Sequence, residues 1–201
     1  VIVCALFAFI FFIAACTEKT PTLPTLSQDD IIVAFGDSLT YGTGAKKRES
    51  YPAVLSFLIN RSVINAGVPG ELSAEGIPRL KKVLEQYAPA LLILCHGGND
   101  LLRRKSKSKL KQNLIEMIGI AHTRGVAVVL IGVPEPKLVF MNTAPLYGEI
   151  AQQLNIPAEL KIIVNVESDN RLKSDTIHPN KLGYRLIAKA IQELLVKSGT
   201  I

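Results

Sequence analysis

The chain reads as a three-layer α/β/α domain built on a parallel sheet of about five strands. Three observations carry that expectation. Short runs of Ile, Val and Leu alternate with longer stretches of helical spacing, the order in which strands and crossover helices build a parallel sheet. The runs are continuously apolar rather than alternating, as strands covered on both faces are. Glycines and small polar residues gather directly after the runs, at the edge where an open parallel sheet binds ligands.

Taken in order, Ile31-Ile32-Val33-Ala34-Phe35, bounded by Gly36, is the first buried strand. Tyr51 to Ile59 has helical spacing through Val54, Leu55 and Leu58, and Ser62 to Asn65 suits a short second strand. Ile77, Leu80, Leu84 and Tyr87 mark a helix in which Pro78 belongs to the first turns or forms a kink. Leu91-Leu92-Ile93-Leu94 is the third strand. Leu110, Leu114, Met117, Ile118 and Ala121 lie on one helix, closed by Gly125. Val126 to Ile131 is the fourth strand, and Ala144 to Leu154 is helical. A last helix after Pro179 carries Ile187, Ile191, Leu194 and Leu195. The fifth strand is either Ile156 to Leu160 or Ile162 to Val166. No internal repeat is visible.

The 201 residues, 48% apolar and 20% charged, suit one folded domain and exclude a disordered chain. Three well-separated cysteines exclude a disulfide scaffold and a Cys-rich zinc site. His96 and His122 have no carboxylate partner at ligand spacing, so neither a metal site nor a cofactor is expected. His96 lies near the sheet edge, His122 reads as a surface residue late in a helix, and Cys95 as inert core.

Val1 to Ala15 is an uncharged apolar run ending in small residues. It has the core and cleavage-site character of a secretory signal without the basic start, and the sequence begins at Val rather than Met, so a preceding segment is expected. Ile13-Ala14-Ala15-Cys16 resembles the lipobox of bacterial lipoproteins. The resemblance implies a leader over 1–15, removed before Cys16, and a diacylglycerol on the Cys16 thiol. It also implies a periplasmic protein held to a membrane, the outer one favoured by Thr17. The alternative is an uncleaved signal anchor, although spanning a bilayer takes about 20 apolar residues. Residues 16–30, with Pro21 and Pro24, read as the lipidated cysteine and a flexible tether, and 31–201 as the domain.

Four polar segments fall at the sheet edge: Gly36-Asp37-Ser38-Leu39-Thr40, Asn65-Ala66-Gly67-Val68-Pro69-Gly70, His96-Gly97-Gly98-Asn99-Asp100, and Asp175-Thr176-Ile177-His178-Pro179. Singly they are weak. Asp and Ser cap helices, and Ser38, Thr40 and Thr43 suit a phosphate cradle equally well. In this order they resemble the four signature blocks of the SGNH (GDSL) hydrolases, over nearly the whole domain, from about Ala34 to Gly183. Small bacterial thioesterase I/lysophospholipase and arylesterase members are the nearest in character.

The resemblance implies a flavodoxin-like sheet and a serine esterase or thioesterase acting on acyl esters. Ser38 would be the nucleophile, and Asp175 and His178 its partners. The Ser38 N–H, the Gly70 N–H and the Asn99 amide would form the oxyanion hole. The chemistry fits these residue types. A serine hydroxyl needs an adjacent base; His178 supplies it, and Asp175 holds its tautomer and steadies the imidazolium. Asp37 and Asp100 read as turn and cap residues. The chain lacks G-x-S-x-G, so the sharp nucleophile elbow of α/β-hydrolases is absent.

The formal charge of +6 concentrates in Lys46-Lys47-Arg48 and in Arg103, Arg104, Lys105, Lys107, Lys109 and Lys111. Both clusters follow site segments. They read either as solvated surface or as a rim that draws anionic lipid or acyl-CoA-like substrates. Few aromatic residues accompany them, so nucleic acid is not an expected partner. Leu138 to Leu146 reads as an apolar wall for an acyl chain or as core beneath the next helix. A carbohydrate O-acetyl esterase and a non-catalytic binding lipoprotein on the same scaffold are the alternatives in function.

Overall fold

The computed structural model describes residues 20–135 and 141–201. Strands β1 (Ile32–Gly36), β2 (Val63–Gly67), β3 (Leu91–Cys95) and β4 (Ala127–Ile131) are joined by a two-residue edge strand, β7 (Ala158–Glu159). All pair in parallel, in the order β2-β1-β3-β4-β7. Every residue of β1 and β3 is buried, which accounts for their unbroken apolar sequences. A separate antiparallel pair, β5 (Pro134–Glu135) with β6 (Asn142–Thr143), follows β4.

The helices are α1 (Ser38–Tyr41), α2 (Tyr51–Ile59), α3 (Ser73–Tyr87), α4 (Gly98–Leu102), α5 (Lys107–His122), α6 (Pro145–Leu154), α7 (Ile162–Ser168) and α8 (Lys181–Lys197). The pair α2 and α8 packs together, as does the pair α3 and α5. Right-handed crossovers place these pairs on opposite faces of the sheet, because the chain reverses direction after β2. That reversal also opens a crevice. From β1 the chain leaves toward β2, and from β3 it leaves toward β4. The carboxyl ends of β1 and β3 are therefore the topological switch point, where ligands bind in such sheets.

Several expectations shift in position. The second strand runs on to Gly67, and the fourth begins at Ala127. Pro78 sits inside α3, at its sixth residue, and Ala74, whose carbonyl it leaves without a helical donor, is exposed to solvent. Of the two candidates for the fifth strand, the first holds: β7 lies within Ile156 to Leu160. Ile162 to Val166 is instead the body of α7. Its buried residues Ile163, Val166 and Glu167 follow a helical period. The Glu159 carboxylate caps it, accepting from the N–H groups of Lys161 at 2.8 Å and Ile162 at 2.9 Å.

The segment read as a tether is docked over part of its length. The Leu23 N–H donates to the Ser198 carbonyl and the Leu26 N–H to the Thr200 carbonyl, each at 2.9 Å. Leu26 is buried, and Arg61 donates to the carbonyls of Leu26 and Ser27. The leader over 1–15, Cys16 and the residues up to 19 lie outside the described residues. Among the described residues no helix is long and apolar enough to cross a membrane.

Candidate active site

Three of the four polar segments meet in one cavity of about 100 Å³ at the switch point, lined by Ser38, Asn99 and His178. Ser38 is the first residue of α1, immediately after β1. The turn before it is held by Asp37, whose Oδ1 accepts from the Leu39 N–H at 3.2 Å. Burial pushes the Asp37 carboxyl above the usual range. The end of β2 lies directly against α1. A Cβ on Gly67 would stand 2.1 Å from the Tyr41 backbone nitrogen, so only glycine permits the approach.

His178 comes from the loop before α8. Its Nε2 is 3.1 Å from Ser38 Oγ, and its Nδ1 is 2.7 Å from Asp175 Oδ2. Asp175 Oδ1 in turn accepts from the backbone N–H groups of Ile177 at 2.9 Å and His178 at 2.8 Å. Burial works against ionisation of Asp175, but these hydrogen bonds and the His178 ring outweigh it and hold its pKa at about 2. Asn180 closes the loop. Its amide donates to the carbonyls of Arg171 and Lys173, and its carbonyl oxygen caps α8 through the N–H groups of Leu182 and Gly183. Hydroxyl, imidazole and carboxylate thus stand in line at hydrogen-bonding distance.

Gly70 is not among the residues that line the cavity; it directly precedes Glu71, whose carbonyl is held by the cavity residue Asn99. The Gly70 φ of +81° is a left-handed conformation suited to glycine. The Asn99 amide donates to the carbonyl of the next residue, Glu71, at 3.2 Å, which leaves the second amide hydrogen free. Arg103 donates to the Gly70 carbonyl at 3.0 Å. Neither the Ser38 N–H nor the Gly70 N–H donates to any described residue. The Ser38 N–H, the Gly70 N–H and one Asn99 amide hydrogen are therefore uncommitted among the described residues, as the donors of an oxyanion hole must be.

Glu71, Arg79 and three tyrosines, to which the sequence assigned no role at the site, hold this edge together with His96 and with Asp100, whose reading as a cap residue holds. Glu71 accepts from Arg79 Nε at 2.6 Å and Nη2 at 2.5 Å, and it meets His96 Nε2 at 2.9 Å. His96 therefore has a carboxylate partner after all, one too distant in sequence to be paired by spacing. Its Nδ1 accepts from the Gly97 N–H, so the ring proton sits on Nε2 and points at Glu71. Partial burial opposes ionisation of Glu71, but Arg79 and His96 outweigh it and hold the carboxyl at about 2. Three buried tyrosines pin the same loops: Tyr51 to Thr40 Oγ1, Tyr147 to the His96 carbonyl, and Tyr184 to the Thr43 carbonyl. Asp100 caps α3, accepting from the N–H and hydroxyl of Ser73.

A stability effect follows from Glu71. Its pKa lies below the ordinary 4.5, so its contribution is complete above about 4.5 and fades as pH falls toward 2. Glu71→Gln is expected to destabilise the fold by about 3 kcal/mol at pH 7, because it strands the partly buried Arg79. The difference from the wild type should narrow between pH 5 and 3, read by urea unfolding across that range. A deficit independent of pH would assign the effect to packing instead.

The remaining expectations divide. Of the apolar wall, Leu138, Val139 and Phe140 lie outside the described residues. Met141 lines the cavity, whereas Ala144 and Leu146 are buried in the core. In the basic cluster, Arg103 is turned onto Gly70, Lys107 pairs with Glu135 and Lys111 with Glu149. A charged rim would then rest on Arg104, Lys105 and Lys109. Cys95 is buried, and burial pushes its thiol well up. Among the described residues no group of three or more His, Cys, Asp or Glu could hold a metal ion.

The fold and this edge define a hydrolase of the SGNH type. Residues 34–186 match the GDSL-like Lipase/Acylhydrolase family, and the chain belongs to it. It is 30% identical over 164 residues to Esterase TesA of Pseudomonas aeruginosa, covering 74% of this chain and 79% of the relative. It is 25% identical to Thioesterase 1/protease 1/lysophospholipase L1 of Escherichia coli K12, over 79% of this chain and 80% of that one. The crystal structure of the psychrotrophic esterase EstA from Pseudoalteromonas sp. superposes with a TM-score of 0.74 at 23% identity. The match covers 84% of this chain and 98% of that chain, a likeness of fold.

Proposed function

We propose that the protein hydrolyses acyl esters or thioesters through an acyl-enzyme formed on Ser38. The observation that carries this reading is the line of contacts from Asp175 through His178 to Ser38, together with three uncommitted donors. Ser38 Oγ attacks the acyl carbon while its proton passes to His178 Nε2. The displaced electron pair collects on the carbonyl oxygen, facing the N–H groups of Ser38 and Gly70 and the Asn99 amide. Collapse breaks the bond to the alcohol or thiol, which takes the proton from His178. Water then repeats the two steps and frees the acid. Hydrolysis of p-nitrophenyl esters from acetyl to palmitoyl, with Ser38→Ala as control, tests the reading. Activity that rises with chain length points to lipid substrates, and acetyl-only activity to sugar esters. Turnover no greater than that of the control would leave a binding protein.

The same reading places the protein in the periplasm, anchored by a lipid on Cys16. The Ile13-Ala14-Ala15-Cys16 motif supports it, and the docked segment bears on how an anchored domain would face. Leu23 and Leu26 run beside Ser198 to Thr200 at the far end of α8, while His178 precedes its start. A 17-residue helix is about 25 Å long. The anchor would therefore leave the domain at the end remote from Ser38, with the catalytic edge turned away from the membrane. Cys16→Ser is expected to move the protein from the membrane to the soluble periplasmic fraction. An unchanged distribution would refute the anchor.

A further inference from the structure

The cavity holding Ser38 and His178 is lined largely by apolar residues, among them Leu39, Leu102, Val133, Met141 and Ile177, with the Glu167 side chain from α7 set among them. Glu167 is only 8% exposed, and no described residue hydrogen-bonds or ion-pairs with it. The one sealed side-chain oxygen without a partner among the described residues is Asp37 Oδ2, so the Glu167 carboxyl opens into the cavity, where a substrate group can supply the hydrogen bond it lacks. The catalytic steps above make no use of it. Helix formation does not require it either, since its neighbours Ile163 and Val166 already supply the apolar face of α7.

We infer that Glu167 is a specificity-determining residue, and that it receives a hydroxyl group of the substrate. The esters turned over best would then be those of hydroxylated compounds. This rests on the hydrolase reading and sharpens its substrate class. An apolar wall binds the methylenes of a substrate without distinguishing them closely. A polar group buried in that wall discriminates far more strongly, because an analogue lacking the matching hydroxyl leaves it unpaired. The same carboxylate disfavours substrates that would put a phosphate or carboxylate against α7.

The surroundings give the preference a pH dependence. Burial pushes Glu167 up to about 7, with Lys173 pulling it down and Asp37 pushing it further up. Tyr184 and Cys95 also sense its charge, and His178 shares the cavity. As pH rises through 7 the carboxylate form, the stronger acceptor, takes over. The preference for a hydroxylated ester should rise with it, since a plain alkyl ester must then desolvate a charge.

The test compares kcat/KM for two pairs of esters in the full chain at pH 6 and pH 8. p-Nitrophenyl 3-hydroxybutyrate against p-nitrophenyl butyrate probes the acyl side. Glycerol monobutyrate against propyl butyrate probes the alcohol side. In at least one pair the wild type should favour the hydroxylated ester about tenfold or more, and more at pH 8 than at pH 6. Glu167→Leu should abolish that ratio, chiefly by losing the hydroxylated substrate while keeping the plain one. Glu167→Gln, which keeps the shape and still hydrogen-bonds, should retain part of the ratio and lose its pH dependence, and it decides the matter if the Leu variant does not fold. Equal effects on both members of both pairs would overturn the inference while leaving Ser38-dependent hydrolysis intact. Absence of Ser38-dependent hydrolysis of every ester would instead overturn the hydrolase reading beneath it.

Discussion

Ser38→Ala is expected to lower kcat for ester hydrolysis by about 10⁴-fold or more, leaving a folded protein that still binds substrate. Removing the nucleophile of such a triad eliminates the covalent route, and only the residual effect of the oxyanion donors and of binding survives. The substitution should cost little stability. The Ser38 hydroxyl makes its one hydrogen bond among the described residues to His178, and the turn around it is held by groups that remain: Asp37 on the Leu39 N–H, Tyr51 on Thr40, and Tyr184 on the Thr43 carbonyl. Initial rates on p-nitrophenyl butyrate, with thermal unfolding of the same preparation, check both halves. A variant retaining a tenth of wild-type activity would place the chemistry elsewhere.

Asp175→Asn should lower kcat by about 10² to 10⁴-fold with KM nearly unchanged. Asp175 has three acceptor duties. Two are to its own loop, through the N–H groups of Ile177 and His178, and one is to the imidazole. An asparagine has one acceptor oxygen. If it keeps the loop, its amide hydrogens face His178 Nδ1 and favour the wrong tautomer. If it keeps the tautomer, the loop loses both backbone bonds. The Asp175 side chain is half exposed, so water can partly replace what is lost, and the loss should be smaller than for a fully buried triad carboxylate. With a pKa of about 2, Asp175 stays ionised through the acid range, so the acid limb of the wild-type rate profile should not follow its titration. Steady-state kinetics from pH 4 to 9 on both proteins would show this. A loss expressed mainly in KM would contradict the assignment.

Local signals made most of this site legible in the sequence. The β1 and β3 runs are apolar throughout because both faces are covered, and each ends in residues that only a sheet edge accommodates, Gly36-Asp37-Ser38 and Gly97-Gly98-Asn99. Asp175 and His178 share one short loop, so their partnership is also local. What was hidden depends on contacts distant in sequence. His96 and Glu71 are 25 positions apart, and nothing in their spacing pairs them. Tyr51, Tyr147 and Tyr184 look like core aromatics until the sheet edge is assembled, when each hydroxyl proves to hold a loop carbonyl or hydroxyl of the site. The β-branched stretch Ile162 to Val166 has the propensity of a strand, but the Glu159 cap and a one-sided apolar face make it a helix. Pro21 and Pro24 suggested a free tether, yet Leu23 and Leu26 find partners at the opposite end of the chain.

The central claim is that Ser38 is an activated nucleophile facing preformed donors. Labelling with a p-nitrophenyl alkylphosphonate, followed by mass spectrometry of the peptides, tests it most directly. One phosphonyl group per chain is expected on Ser38, with release of one equivalent of p-nitrophenolate, and His178→Ala should slow the labelling by orders of magnitude. An unlabelled Ser38, a label on another residue, or labelling indifferent to His178 would contradict the account.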